Sequence, residues 1–286
     1  MRSMTPGPSR SSCEWPFTLP AFYAEYAPLP AHGSIVDHLY VLKDCGLLTA
    51  DRRAFASPFT ELAFTFRRSA DRSAYVPKIV VIQPSFGHRK KNRAFDGWVF
   101  GFKGKSSSRW WSTIDRSSLA DCQARLVQAL HGEPSCTDVL TILDGLLDDL
   151  TRRSADRSGD AYRSLNVSQF QVGRLATLLG QSGRTLQRRM RTATGLAPKR
   201  LLAVDRFRRA VREIATRQTK LSLVAGGFGF SDQAHLTREF RRHAGLTPKT
   251  FQQAWHGARG QAVRFVQDGA SPVRLRVAVW PVKDHR

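Results

Sequence analysis

Two short stretches near the C-terminal end of the chain carry arginine, threonine, glutamine and histidine at matching positions. The first is GRTLQRRM, residues 183–190, and the second is DQAHLTREF, residues 232–240. Side chains of these types donate hydrogen bonds to phosphates and to base edges, and arginine can contact guanine through two parallel hydrogen bonds. The chemistry that such residues offer at this density is the binding of nucleic acid.

Both stretches lie in an internal repeat. Equivalent residues are separated first by about 49 and then by about 50 positions, which is a repeat period to be interpreted before anything else. The matched pairs are Gly180 with Gly229, Ser182 with Ser231, Leu186 with Leu236, Met190 with Phe240, and Pro198 with Pro248. Each unit predicts a short amphipathic helix, a glycine turn, and a second helix capped by Ser182 or Asp232. This order of elements is a helix-turn-helix.

The second helix of each unit is predicted to have two faces. On a wheel of about 100° per residue, Phe240 and His243 fall on the side of Leu236, whereas Ala234, Arg238 and Arg241 fall opposite. In the first unit, Leu186 and Met190 point inward, and the residues that point outward are Arg184, Arg188 and Arg191. An ordinary solvated arginine face is the alternative interpretation. The duplication of both the turn and the cap favours a pair of helices that enter the major groove.

The segment between the two units predicts one continuous helix from Pro198 to Ala215. A helix of this length spans about 27 Å. Successive major-groove faces on one side of a duplex are about 34 Å apart. The two units are therefore expected to read base pairs roughly one helical turn apart.

The charge of the chain is concentrated around the repeat. The 286 residues carry a formal net charge of +22, and residues 151–256 hold 21 Lys and Arg against 6 Asp and Glu. Residues 1–150 hold 18 against 15. A general preference for arginine would not produce this contrast. The imbalance indicates a polyanionic partner, with nucleic acid ahead of an anionic membrane surface.

The N-terminal half predicts strands followed by helices. Short β-branched and aromatic runs indicate strands within residues 38–44, 61–68, 78–85 and 97–104, and apolar residues at helical spacing indicate helices within 119–130 and 137–150. The basic run HRKKNR, residues 88–93, is interpreted as a solvated turn. We expect an α+β protein with an N-terminal domain at 1–152, a helical domain at 158–257, and an extension of unknown role at 258–286.

The repeat resembles the DNA-binding domain of AraC/XylS-family transcriptional regulators over residues 165–256. The stretches that carry the resemblance are LATLLGQSGRTLQRRMRTATGLAPKRLL, 175–202, and GFSDQAHLTREFRRHAGLTPKTF, 229–251. One departure is Gln181, where the family usually has an apolar residue. The resemblance implies binding to double-stranded promoter DNA and cooperation with RNA polymerase. Carried over by position, the groove-facing residues are Arg184, Thr185, Gln187, Arg188, Gln233, Ala234, His235, Thr237 and Arg238. Arg191 and Arg241 lie nearer the ends of their helices and are expected to contact the DNA backbone.

The N-terminal half is similar to a cupin-like domain found in some members of the same family, on the stretch YAEYAPLPAHGSIVDHLYVLKD, residues 23–44. This similarity implies a domain that senses a small-molecule effector or forms a homodimer.

No catalytic or metal-binding pattern stands out in the sequence. We find no nucleophile elbow, phosphate-binding loop, dinucleotide fingerprint or Cys-x-x-Cys pair, and His32, His38 and His88 are scattered. We therefore expect no enzyme activity, no metal and no cofactor. The absence of a signal peptide and of a long apolar run predicts a cytoplasmic protein without a membrane partner. The competing hypothesis is an enzyme or a DNA-repair protein that uses the helix-turn-helix region only to reach DNA.

Overall fold

The computed structural model describes residues 22–33, 35–45, 52–91, 95–104, 114–132, 134–155, 172–194, 196–217, 219–257 and 275–277. A β-rich N-terminal part with two helices is followed by a helical C-terminal part. The predicted α+β fold class is confirmed.

Six strands form an antiparallel sheet in the order β5-β4-β7-β2-β1-β8. They are β1 (Phe22–Tyr26), β2 (Val36–Cys45), β4 (Thr60–Arg68), β5 (Tyr75–Ile82), β7 (Asp96–Gly104) and β8 (Leu275–Val277). The strand β5 contains Pro77 and lies at the edge of the sheet, where a residue without an N–H group is tolerated. Two further short strands, β3 (Arg52–Ala54) and β6 (Arg89–Lys91), pair with each other in a separate ribbon.

One face of the main sheet packs against two helices, α1 (Arg116–Leu130) and α2 (Cys136–Ala155). Alternate residues of the central strands point to this core, because successive side chains of a strand face opposite sides. Phe64, Phe66, Phe100 and Phe102 are all fully buried there, together with Leu143 of α2. The four predicted strands and both predicted helices are confirmed.

Strands β1, β3 and β6 were not predicted from the sequence. The interpretation of HRKKNR as a solvated turn was wrong for its middle, because Arg89–Lys91 form β6 and pair with β3. From the C-terminal extension, β8 pairs with β1 and becomes an edge of the main sheet. Residues 258–274 lie outside the described part of the chain.

Six helices lie in the described residues of the C-terminal part: α3 (Val172–Leu178), α4 (Gly183–Thr194), α5 (Pro198–Thr216), α6 (Leu221–Gly227), α7 (Gln233–Ala244) and α8 (Pro248–Gly257). Two apolar cores hold them. The first unit core contains Ala176, Leu186, Met190, Leu196 and Leu201, and the second unit core includes Phe207, Ile214, Val224, Leu236, Phe240 and Phe251. The long helix α5 contributes to both cores and so joins the two units.

Candidate nucleic-acid interface

We refer to α4 and α7, the second helices of the two units, as the recognition helices. The turn before each of them is built around a glycine. Gly180 has φ of 59° and Gly229 has φ of 76°, in the left-handed region that costs side-chain-bearing residues free energy. A Cβ added at Gly180 would meet no atom within 4 Å, so the left-handed backbone conformation, and not a lack of space, favours glycine there. The predicted glycine turns are confirmed in both units.

The predicted helix caps are also present. The Ser182 hydroxyl accepts a hydrogen bond from the backbone N–H of Thr185 at 3.2 Å, at the start of α4. The Asp232 carboxylate accepts one from the backbone N–H of His235 at 2.6 Å, at the start of α7. Each bond satisfies an N–H group that has no partner within its own helix.

The cap of α7 is ionic. The hydrogen bond from the backbone of His235 lowers the pKa of Asp232, and the nearby charge of Arg238 lowers it further. The carboxylate therefore stays ionised under ordinary conditions, and its negative charge is favourable at the positive end of the helix dipole.

The two-faced character of both recognition helices is confirmed. In α7, Leu236, Phe240 and His243 are fully buried, and in α4 Leu186 and Met190 are buried. The exposed predicted contact residues are Arg184, Gln187, Arg188 and Arg191 in α4, and Gln233, Ala234, Arg238 and Arg241 in α7. These eight residues lie on the solvent sides of two helices that follow the same kind of turn and cap. Their contact with DNA stays a prediction.

Three other predicted contact residues are half-buried and engaged at the helix starts. The Thr185 hydroxyl lies 3.0 Å from the Ser182 hydroxyl, and the Thr237 hydroxyl donates to the Gln233 carbonyl at 2.9 Å. The ring of His235 accepts the Ser231 backbone N–H at 3.2 Å through Nδ1 and packs edge-on against Phe230. Their present contacts shape the ends of the recognition helices.

Arginines elsewhere in the helical part have partners within the protein. Arg206 donates to the Gly229 carbonyl at 3.2 Å, Arg209 pairs with Asp205 at 3.1 Å, and Arg242 pairs with Glu239 at 3.6 Å. By contrast, among the described residues no ion pair, ring contact or side-chain hydrogen bond engages Arg184, Arg188, Arg191 or Arg241. The guanidinium groups of these four are available to an anionic ligand.

The residues by which the N-terminal part contacts the helical part were not predicted from the sequence. Phe55 and Phe86 of the N-terminal part pack against the two unit cores, and His243 of α7 is buried against Phe86. The available signal was the placement of each phenylalanine in a short loop beside serine or proline, in FASPF and QPSFG. Phenylalanine is among the residue types that are most often buried, so a phenylalanine in such a loop indicates a contact with another part of the chain.

A family profile described as a helix-turn-helix domain matches residues 175–254. The HTH-type transcriptional regulator RipA of Corynebacterium glutamicum is 39% identical over 117 residues, which are 39% of this chain and 35% of RipA. The HTH-type transcriptional regulator VirS of Mycobacterium tuberculosis is 36% identical over 103 residues, which are 36% of this chain and 30% of VirS. The helical domain belongs to the AraC/XylS family. The chain spans about a third of the length of these relatives. Residues 175–254, which the family profile matches, include both α4 and α7.

A structural likeness extends over more of the chain than the AraC/XylS match. ToxT from Vibrio cholerae, in a crystal structure with an unsaturated fatty acid bound, aligns with 83% of this chain and 96% of its own, at 10% identity and a TM-score of 0.40. Within the described residues, no helix is long and apolar enough to cross a membrane. The same residues contain no group of three or more His, Cys, Asp or Glu side chains arranged to hold a metal ion.

Proposed function

We propose that this protein is a sequence-specific transcriptional regulator that reads two adjacent major grooves of promoter DNA with α4 and α7. The observation that carries the proposal is the pair of capped recognition helices. Each presents exposed arginines on the face opposite its buried leucine, and within the described residues Arg184, Arg188, Arg191 and Arg241 have no intramolecular partner. The AraC/XylS membership of this domain favours a regulator over an enzyme or a DNA-repair protein.

The outward residues divide into two roles. Arg188 and Arg238 each follow the buried leucine of their helix by two positions, near the centre of the outward face. We assign them to base edges, where an arginine can hold guanine with two hydrogen bonds. Arg191 and Arg241 lie one turn nearer the helix ends, and we assign them to phosphates, which fix the register without reading sequence.

The connecting helix sets the expected spacing of the binding site. Helix α5 has 19 residues and is therefore about 28 Å long. Both recognition helices pack against it. We propose a separation of about one helical turn, roughly 10 base pairs, between the two base-reading patches, and the length of α5 supports a spacing of this order.

Control by a small molecule is proposed for the N-terminal sheet. On the face opposite the main core, Glu25, His38, Tyr40, Glu61 and Lys103 form a row of buried or half-buried polar groups. Burial would raise the pKa of Glu25, but His38, Lys103 and Arg208 outweigh it and the pKa lies well below its usual value. Burial, with the charge of Glu61, raises the pKa of Tyr40 well above its usual value. Concentrations of perturbed polar groups are typical of binding sites.

This row is connected to the helical domain. Arg208 of α5 lies 3.9 Å from Asp37 and stacks over Phe59 at 4.3 Å, while Asp37 also contacts His38 at 2.8 Å. An effector that displaced His38 or Asp37 would therefore act on α5 directly. A homodimer through the N-terminal part and contact with RNA polymerase remain proposals that rest on the family resemblance.

The test of the proposed function is selection of bound sequences from genomic DNA with the full chain. The expected result is one enriched site with two conserved patches about 10 base pairs apart. Equal recovery of all sequences, or a single patch of a few base pairs, would contradict the proposal.

A further inference from the structure

Two segments of the N-terminal part form a joint with the helical domain. The first, Phe55–Ser57, and the second, Ser85–His88, are held together by two backbone hydrogen bonds between Ser57 and Ser85, at 3.1 and 2.8 Å. The ribbon of β3 and β6 flanks them. We refer to residues 55–57 and 85–88 as the joint.

The joint caps the C-terminal end of α7 with hydrogen bonds. The backbone N–H of Ala56 donates to the His243 carbonyl at 2.9 Å, and Nδ1 of His88 donates to the Arg242 carbonyl at 3.3 Å. The last carbonyls of a helix have no partner within it, so these bonds come from outside the helical domain to satisfy them. The ring of Phe55 packs edge-on at 6.0 Å from Phe207 and 5.9 Å from Phe251 in the second unit core.

Phe86 contacts both units at once. Its side chain packs against the first unit core, and its ring lies edge-on at 4.8 Å from the buried ring of His243 in α7. The Phe86 ring also lies under two guanidinium groups, those of Arg200 at 5.2 Å and Arg242 at 4.6 Å. The Phe86 carbonyl accepts a hydrogen bond from Nδ1 of His243 at 2.6 Å. One residue of the N-terminal part thus touches the first unit, the start of α5 and the recognition helix of the second unit.

Within the described residues, α5 also connects the two recognition helices. Helix α4 packs on α3 and α5, and α7 packs on α5, α6 and α8. A single helix with a core at each end can bend or twist between them, whereas a side chain wedged between the units fixes their relative orientation. We propose that Phe86 is a positioning residue that sets the angle between α4 and α7, and with it the spacing between base-pair patches that the protein accepts. This inference rests on the proposed function.

The spacing test uses the full chain and the selected site. Wild-type affinity is compared for that site and for copies with one base pair inserted or removed between the patches. The spacing preference is the affinity for the selected site divided by the affinity for an altered copy. We expect Phe86→Ala to lower this preference by about fivefold or more, a factor that corresponds to about 1 kcal/mol. The matched control is Tyr75→Ala, which removes a half-buried ring of the N-terminal sheet that packs on Arg68, away from the joint.

A second measurement needs no DNA. Amide hydrogen exchange of the full chain should rise by about fivefold or more in both α4 and α7 in Phe86→Ala, with α1 and α2 unchanged, because local opening follows the loss of packing. Tyr75→Ala should leave α4 and α7 as in the wild type. If Phe86→Ala does not fold, Phe86→Leu keeps the apolar contact with the first unit core and loses the ring contacts, and the same comparisons apply.

The two measurements separate the inference from the proposed function. A wild-type chain without any preferred DNA site contradicts the proposed function, while the exchange result still tests whether Phe86 links the units. A wild-type chain with a preferred site, and a Phe86→Ala chain with unchanged spacing discrimination, overturns the inference and leaves the proposed function standing. Exchange that rises in only one of the two helices also overturns it.

Discussion

Neighbouring arginines in this protein lie in two different environments. Arg241 and Arg242 are neighbours in α7, but Arg242 pairs with Glu239 and lies over Phe86, whereas Arg241 points outward without a partner in the described part of the chain. One step of about 100° around the helix separates the two environments. Composition cannot distinguish them, but the position relative to Leu236 and Phe240 does.

The base-reading arginines can be tested by truncation. Arg188→Ala and Arg238→Ala should each weaken binding to the selected site by about 1–3 kcal/mol and relax selectivity over a few base pairs, as expected for lost base-edge contacts. The affected base pairs should differ between the two variants and lie about 10 apart. Binding constants and footprints measure both effects. Arg125→Ala, an exposed arginine of α1, is the control of equal charge change. Footprints that weaken at the same base pairs in both variants would contradict the two-headed arrangement.

At the scale of elements, the helical repeat was predictable because its signals are local. Each unit has a glycine with positive φ, a side chain that accepts a hydrogen bond from the N–H three residues later, and apolar residues with a period of about 3.6. These signals all lie within about a dozen residues. The joint was not predictable in this way. Phe86 and His243 are 157 positions apart, and no residue beside either of them in the sequence indicates that they are in contact. The short strands β3 and β6 likewise depend on pairing between segments that are separated in the sequence by β4 and β5.

The cap of α7 gives a test at this scale. Asp232→Ala should lower the melting temperature of the chain and weaken DNA binding, because the N–H of His235 loses its acceptor and the start of the recognition helix frays. Asp232→Ser should retain most of the stability, since serine accepts the same bond and already does so at Ser182 in the first unit. Thermal unfolding followed by circular dichroism compares the three proteins. Equal melting temperatures for wild type and Asp232→Ala would show that the cap contributes nothing.

A buried histidine fixes the turn before β2 to α2. Nε2 of His32 lies 2.7 Å from Asp148, and Nδ1 lies 3.5 Å from Asp144. Burial lowers the pKa of His32, but the two carboxylates outweigh burial and the pKa is raised above its usual value. The charged ring therefore stabilises the folded state fully below the usual pKa of about 6.5, and this contribution is lost as the pH rises through the raised value.

The histidine contact predicts a pH-dependent loss of stability. His32→Gln should reduce the free energy of unfolding more at pH 5.5 than at pH 9, because the paired charge contributes only at the lower pH. Denaturant unfolding at both pH values measures the difference. The control is His131→Gln, an exposed histidine at the end of α1. An equal loss at both pH values would mean that His32 acts through packing alone.

At the scale of the whole molecule, the nearly neutral part of the sequence corresponds to the sheet with its two helices, and the strongly basic part corresponds to the helical part. The N-terminal 150 residues are nearly balanced and form a sheet with a covering pair of helices, while residues 151–256 carry a net charge of +15. The joint connects these two parts through the end of a recognition helix. The nearly neutral part therefore contacts the strongly basic part at the end of α7.

The concentration of charge predicts a steep salt dependence of DNA binding. The logarithm of the binding constant should fall linearly with the logarithm of the salt concentration, with a slope of about 0.9 for each phosphate contacted. Arg191→Ala and Arg241→Ala should each reduce the slope by about one, and should weaken selected and unrelated sequences alike, because phosphate contacts carry no sequence information. Arg116→Ala removes the same charge from the exposed start of α1 and should leave the slope unchanged. If Arg116→Ala lowers the slope as much as the helix variants do, the dependence reflects the overall charge of the protein. In that case the assignment of Arg191 and Arg241 to the DNA backbone is wrong.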